Sequence, residues 1–212
     1  MRIAVFGSTG AVGRLVVRRA LAEGHEVVAH ARSPEKVGVH HPALRIVGSS
    51  LHDDVDLARA VAGADAVVSA LGPSPLQRGT PIGEGTERIV AAMRHAGVDR
   101  LVAIATPTAP DPADGRDLRM AAIVRAVRIV APGPRRDVLR TAEAVRSSGL
   151  RWTLARLPML RGGDDGEAGP VRTGPVGEGG LVLTRAALAA YLLDAATSDR
   201  DVHAAPVVSD AG

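Results

Sequence analysis

The sequence predicts an α/β protein, a doubly wound parallel sheet with helices on both faces, folded as a single domain. Three observations carry this. Short β-branched runs alternate with longer amphipathic stretches from the first residues onward. The first such run turns into the first helix through a glycine-rich segment. The length of 212 residues suits one domain, and 46% hydrophobic against 23% charged residues leaves enough apolar material for a core. Parallel strands need crossover connections, and because those are right-handed the alternation places helices on both sides of one sheet.

Residues 2–6 read as a buried strand, 11–23 as a helix with Val12, Leu15, Val16, Arg19 and Ala20 at helical spacing, and 26–30 as a second strand. Residues 44–47, 66–69 and 101–105 supply further strands, with helices at 55–61 and 85–95 between them. Residues 117–130 and 137–147 have helical periodicity and are separated by Ala131-Pro132-Gly133-Pro134, which reads as a breaker. Residues 152–155 make a sixth strand. Residues 161–180 contain eight glycines, too many for a packed element, and predict a loop excursion with the character of a lid. Thr184 is a good N-cap for a last helix over 185–196, and 206–208 add an edge strand. No internal repeat is visible.

Composition excludes several classes of function. There is no cysteine, so a disulfide framework, a thiol nucleophile and a thiolate metal site are absent. The seven histidines show no helical i,i+4 pair backed by a carboxylate, and no metal is expected. The pI near 10.4 overstates the charge. It arises from a net +3 in which all basic residues but Lys36 are arginine, and guanidinium does not titrate in the usual range. Basic and acidic residues are interleaved and the aromatics are only Phe6, Trp152 and Tyr191, so no nucleic-acid partner is expected. No run approaches the ~18 apolar residues of a membrane span, and MRIAVFG is unlike a signal sequence. The expectation is a cytoplasmic protein with a small-molecule substrate and no membrane partner, either a monomer or a small homo-oligomer.

The most informative segment is Gly7-Ser8-Thr9-Gly10-Ala11-Val12-Gly13, between the first strand and first helix. A sharp strand-to-helix turn leaves N–H groups of the helix start unpaired, and glycine keeps side chains out of the way of a pyrophosphate. The spacing is G-x-x-G-x-x-G rather than G-x-G-x-x-G, and the strand-turn-helix context is what gives it meaning. After the second strand, where an acid would bind a ribose 2′-hydroxyl, stands His30-Ala31-Arg32-Ser33. Arg32 suits a 2′-phosphate, so NADPH is expected over NADH, with Ser33 adding a hydroxyl and Lys36 a charge from the next turn. The plain alternative for Arg32 is a solvated surface residue. Leu71, Gly72 and Pro73 follow the fourth strand and should line the cofactor cleft.

These stretches resemble the atypical NAD(P)H-binding branch of the short-chain dehydrogenase/reductase superfamily. IAVFGSTGAVG, AHARSPEKV, VAGADAVVSALG, GTERIVAAMRHAGVDRLVAIAT, SGLRWTLARLPML and LTRAALAAYLLDA run in family order over almost the whole chain. Within that branch the chain looks most like the biliverdin-IXβ reductase/flavin reductase group and its NmrA-like relatives. The resemblance implies one Rossmann-like NAD(P)-binding domain over residues 1–212, with about 107–134 and 156–212 shaping the substrate pocket. It also implies that Ser49 and Ser50 lie against the adenine, where relatives carry an Asp and an apolar residue. Pro158, Met159 and Leu160 would present backbone groups to the nicotinamide carboxamide. Thr106 stands where that group carries a catalytic serine.

The Tyr-x-x-x-Lys pair of standard short-chain dehydrogenases is missing, since Tyr191 is followed four residues later by Ala195. Tyr191 is expected to pack on the last helix. A conjugated acceptor such as a flavin or quinone spreads the charge of an incoming hydride and needs no strong general acid. Hydride transfer to such an acceptor is the leading expectation. A natural-product tailoring reductase, a redox-silent cyclase or isomerase, and an NmrA-like NADP-binding sensor are the alternatives, and an exposed apolar patch would favour the last.

Overall fold

A computed structural model describes residues 1–72, 79–162, 167–178 and 180–211. Pro73 and the Asp164-Asp165 pair in the glycine-rich stretch lie outside them. The first strand, β1 (Arg2–Phe6), has Ile3, Ala4, Val5 and Phe6 at 0% exposure. A strand buried on both faces is what a central parallel strand requires, and it pairs in parallel with β2 (Glu26–Ala31) and β4 (Ala66–Ser69). The sheet extends through β3 (Leu44–Gly48) on one side. On the other it runs through β5 (Arg100–Ala105) and β6 (Arg151–Arg156).

Side chains alternate between two cores. Ile3, Val5, Val27, Ala29, Val68 and Val102 face α1 (Ala11–Ala22) and α6 (Arg185–Thr197). Ala4, Phe6, Val28, Val67, Leu101 and Ala103 face α2 (Asp54–Val61), α3 (Pro81–Ala96) and α5 (Pro132–Arg146). Side-chain caps hold three helix starts: Asp53 accepts the Asp56 N–H, Asp117 those of Arg119 and Met120 at α4 (Leu118–Val130), and Thr184 that of Ala187. The end of α6 is finished from a distance. The buried Arg100 guanidinium donates to the carbonyls of Ala195 and Arg200 and to the Thr153 hydroxyl, satisfying acceptors that the helix end leaves open.

The expected doubly wound sheet is present, in the order β3-β2-β1-β4-β5-β6 followed by two further strands. Three local expectations are corrected. Residues 161–180 are not a plain loop: β7 (Met159–Arg161) pairs with β9 (Val182–Thr184), and β8 (Val171–Gly174) joins the main sheet. The C-terminal strand β10 (Val207–Asp210) is not an edge, because β8 pairs antiparallel on its outer side and β6 in parallel on its inner side. Its hydrophobic run Val207-Val208 is buried, whereas the outermost strand Val171-Arg-Thr-Gly is half-exposed and polar, as an edge tolerates. Finally, the expected break between α4 and α5 is present but confined to Ala131, which caps both helices, and Pro132 and Pro134 are not part of a longer linker. They lie in the first turn of α5, where a missing N–H costs nothing, so that helix begins five residues earlier than its periodicity suggests.

Candidate functional site

The strand order reverses direction between β1 and β4, and the crevice above their C-terminal ends is where doubly wound folds take ligands. The turn of residues 7–13 sits there. Gly7 has φ +76°, and a Cβ on it would lie 2.8 Å from the Ala70 carbonyl oxygen and 3.2 Å from the Leu71 nitrogen. A Cβ on Gly13 would overlap the Gly7 carbonyl, so the first turn of α1 presses directly on the loop backbone. The Ser8 hydroxyl donates to the His30 carbonyl at 2.7 Å, fastening the turn to β2. The first backbone bond of α1 runs from Arg14 N to Gly10 O. The helix start therefore has no side-chain cap, no acid in its first turn and three N–H groups, at Ala11, Val12 and Gly13, without an intrahelical acceptor. Thr9 and Gly10 rim this cradle and are at least partly accessible. Glycines that admit no Cβ and a positive helix end without an acid fit a pyrophosphate.

Arg32 and Ser33 follow β2, and the short 3-10 turn Pro34–Lys36 packs under the end of β3, with a Cβ on Gly48 reaching to 2.6 Å from Pro34. Arg32 is exposed and makes no ion pair with a described residue, which leaves its guanidinium available beside the cradle. Ser49 is held by the buried His30, whose Nε2 lies 2.9 Å from the Ser49 hydroxyl while its ring rests on Phe6 at 5.0 Å between centroids. Burial pushes the His30 pKa down, with Asp56 opposing, so the ring is neutral near pH 7. Ser50 caps its own turn, accepting the His52 N–H at 3.2 Å. His30 as the support for Ser49 was not foreseen from the sequence.

The other half of the crevice is a cleft of about 260 Å³ between Leu71, Gly72, Ile82, Ile104, Thr106, Pro158 and Leu160. Its polar side chains among the described residues are Thr106, Thr141 and Asp137. The Thr106 hydroxyl lies 2.6 Å from that of Thr108, which is buried. Asp137 is 1% exposed and accepts the Gly83 and Ile82 N–H groups at 2.6 and 3.3 Å, capping α3 from a neighbouring helix. The Thr141 hydroxyl donates to the Asp137 carbonyl. Asp137 and Thr141 line this cleft without any motif to announce them; their i,i+4 spacing on one helix face was the available signal. The turn after β6 is less free than the sequence suggests. The Leu157 N–H is given to Ala105 and the Met159 N–H to Leu181, so these two donors are already used within the protein. Met159 itself is exposed.

A second chamber of about 390 Å³ adjoins the first, sharing Thr106, Val138, Leu157 and Pro158. Its walls are almost wholly apolar and come from Pro107, Met120, Ile123, Val127, Met159 and Leu181, with Arg135 as the charged exception. Residues of segment 107–134 line the chamber, while no described residue of 161–180 does.

The Thr106–Thr108 wall is anchored from below. Arg156 is 0% exposed and donates to both carboxylate oxygens of Asp114 at 2.6 Å and to the carbonyls of Ala109 and Ala205. Burial alone would raise the Asp114 pKa, but Arg156 together with the N–H groups of Val176 and Asp111 outweighs it and holds the carboxyl below its ordinary value. Tyr191 is 2% exposed and donates to Asp201, and burial followed by that carboxylate raises its pKa well above the usual phenol value. It packs on the last helix, away from the cleft. Among the described residues no helix is long and apolar enough to cross a membrane, and no group of three potential metal ligands occurs.

Comparison with known proteins agrees with this geometry. The chain is 34% identical over 154 residues to (4-alkanoyl-5-oxo-2,5-dihydrofuran-3-yl)methyl phosphate reductase of Streptomyces griseus, covering 73% of this chain and 46% of that protein. It is 33% identical over 119 residues to 2-alkyl-3-oxoalkanoate reductase of Stenotrophomonas maltophilia, covering 51% of this chain and 34% of that one. It thus spans less than half the length of these relatives. A short-chain dehydrogenase/reductase from Veillonella parvula, solved in complex with NADP, superposes with a TM-score of 0.78 at 17% identity, over 100% of this chain and 95% of that one. A model of the NAD(P)H-binding family matches residues 7–199. With its glycine cradle at the β1/β4 crevice, the chain belongs to the NAD(P)H-binding family.

Proposed function

We propose that this protein is an NADPH-dependent reductase that delivers hydride to a conjugated small-molecule acceptor, a flavin, a quinone or a related compound. The observation that carries this is the make-up of the cleft beside the cradle: mostly apolar walls, a pair of linked threonine hydroxyls, an Asp137 carboxyl occupied in capping α3 with Thr141 beside it, and no phenol or ammonium group among the described residues lining it. Such a site can position two planar partners but has no strong general acid, which suits acceptors that spread the incoming charge. Both relatives being reductases supports the class of reaction.

The bound cofactor supplies the hydride, two electrons and one proton, and is left oxidised. The N–H groups of Ala11, Val12 and Gly13 hold the pyrophosphate, and Arg32 with Ser33 pairs the 2′-phosphate. Gly72 lets the cofactor approach the backbone, and Pro158 and Leu160 exclude water from the reacting face. The Thr106 hydroxyl, held by Thr108, orients the acceptor and passes it the second proton from solvent.

The test is NADPH oxidation at the nicotinamide absorbance with FMN or a simple quinone added. Thr106→Val is expected to lower kcat about tenfold, the value of one hydrogen bond, and Thr106→Ser to restore it. Equal rates for all three proteins would remove Thr106 from the mechanism. For the cofactor, Arg32→Asp is expected to lower the NADPH-to-NADH affinity ratio by roughly 10- to 100-fold, the worth of charge-assisted bonds to a phosphate. Equal affinity of the unmodified protein for the two cofactors would defeat the preference.

A second reading, an NADP-loaded sensor without turnover, is favoured by the exposed apolar residues Leu118, Ile129 and Val130 on α4, with 71–87% of their surface accessible. Tight NADPH binding with no oxidation by any acceptor would shift the balance to it.

A further inference from the structure

Arg135 is anomalous in its surroundings. It projects from the first turn of α5 into the wall of the larger chamber, beside Met120, Val127 and Val138. Its Nε is buried and has no hydrogen-bond partner, and its guanidinium makes no ion pair or side-chain hydrogen bond with a described residue. A buried donor left unpaired is costly, and native proteins rarely keep one without a use. The Arg146 Nε is likewise buried without a partner, but that side chain is paired with Asp111, and Arg100 and Arg156 spend their nitrogens on protein acceptors.

The helix start adds to the same field. No side chain caps α5 and its first turn holds no acid, but Pro132 and Pro134 carry no N–H and the Arg135 N–H is given to the Ala131 carbonyl, so this helix start offers an anion few backbone donors. An anion at this acid-free helix start would take its donors from the Arg135 side chain, whose fork matches carboxylate or phosphate oxygens. Apart from the Thr106 and Thr108 side chains the walls around it are apolar, in a volume of about 390 Å³ that is small for a ligand pocket.

We infer that this chamber is the substrate subsite and that it takes an amphipathic anion: an apolar, chain-like or alicyclic body seated against Met120, Ile123 and Val127, with one carboxylate or phosphate group paired to Arg135. This deepens the reductase reading and rests on it for the word substrate. The binding preference itself does not require turnover. Because Thr106 and Pro158 border both chambers, the anchored body would extend toward the cofactor side, and Arg135 would act as a specificity-determining residue rather than a catalytic one.

The experiment is calorimetric titration of the NADP-loaded protein with octanoate, octyl phosphate and octanol. The two anions are expected to bind about 10- to 100-fold more tightly than the alcohol, and the better of the two identifies the anionic group. Arg135→Gln should abolish that advantage while leaving octanol affinity and NADPH affinity unchanged, the latter showing that the variant is folded. Arg135→Lys should recover only part of the preference, since a point charge lacks the fork. Octanol binding as tightly as the anions, a preference that survives Arg135→Gln, or no binding of any probe would overturn the assignment. An anion preference found in a protein that fails to oxidise NADPH with every acceptor tried would instead keep the subsite and discard the reductase reading.

Discussion

Gly13→Ala is expected to cost the protein its nucleotide, weakening NADPH about 100-fold or more. The added Cβ meets the Gly7 carbonyl oxygen and carbon and the Ser8 Cα, all of them backbone, so no side chain can rotate away to make room. Overpacking of this kind costs up to ~3 kcal/mol, about two decades in affinity, and here it is relieved only by opening the turn that presents the three N–H groups. Gly10→Ala is the informative comparison. Its Cβ approaches one backbone atom, at 3.3 Å, and its φ of −75° suits any residue, so the turn survives and the loss should be smaller. Titration of both variants with NADPH, with circular dichroism as a check on folding, measures this. Unchanged affinity in Gly13→Ala would show that the cradle is not the nucleotide site.

Asp114→Asn should lower stability by about 3 kcal/mol, and the melting temperature by roughly 6 to 12 °C, because it strands a guanidinium that is 1% exposed. The lower end of the range for a broken buried pair is used because Asp114 retains 16% exposure. Asp54→Asn is the control: its pair with Arg88 is 72% and 40% exposed and should be worth under about 1 kcal/mol. The pH dependence follows from the lowered carboxyl. A folded pKa below the unfolded value of about 3.9 means that the stabilisation is fully present above that pH and is lost as pH falls through the folded value. The acid limb of a melting-temperature profile should therefore flatten in Asp114→Asn. Because Asp114 holds the 107–114 segment under Thr106, the variant should also raise KM for the acceptor more than it affects NADPH affinity. An unchanged melting temperature would show that the pair is not a structural anchor.

How far the sequence could be read depended on how local the constraint was. Gly7, Gly10 and Gly13 act on one another within a single turn, so their spacing carried their role. The strands from β1 to β6 were legible because each inner one is apolar on both faces. β8 was not, since Val171-Arg-Thr-Gly has the half-polar character of a loop and becomes a strand only by pairing with β10 from 36 residues further along. Pro132 both ends α4 and opens α5, and proline signals the first of these far more visibly than the second. Arg156 and Arg135 were indistinguishable from two dozen other arginines. One is defined by Asp114, 42 residues before it, and the other by the apolar helix α4 that faces it, and neither relation leaves a spacing to detect.

The packing of α6 on α1, beside the Arg100 bonds that tie the end of α6 to β5, bears on how the chain is made. Val12, Val16 and Val17 of α1 share a core with Leu188, Tyr191 and Leu192 of α6, elements separated by more than 160 residues of chain. A ribosome releases the nucleotide-binding turn early, but the sheet face above it stays open to solvent until residues 185–197 have emerged. The glycine cradle and β1 to β4 are thus completed chemically long before they can be completed structurally, and in that interval the nascent chain presents a valine-rich surface to whatever holdase is at hand. The residues of the cradle are thus translated more than 160 residues before the helix that completes the core beneath them.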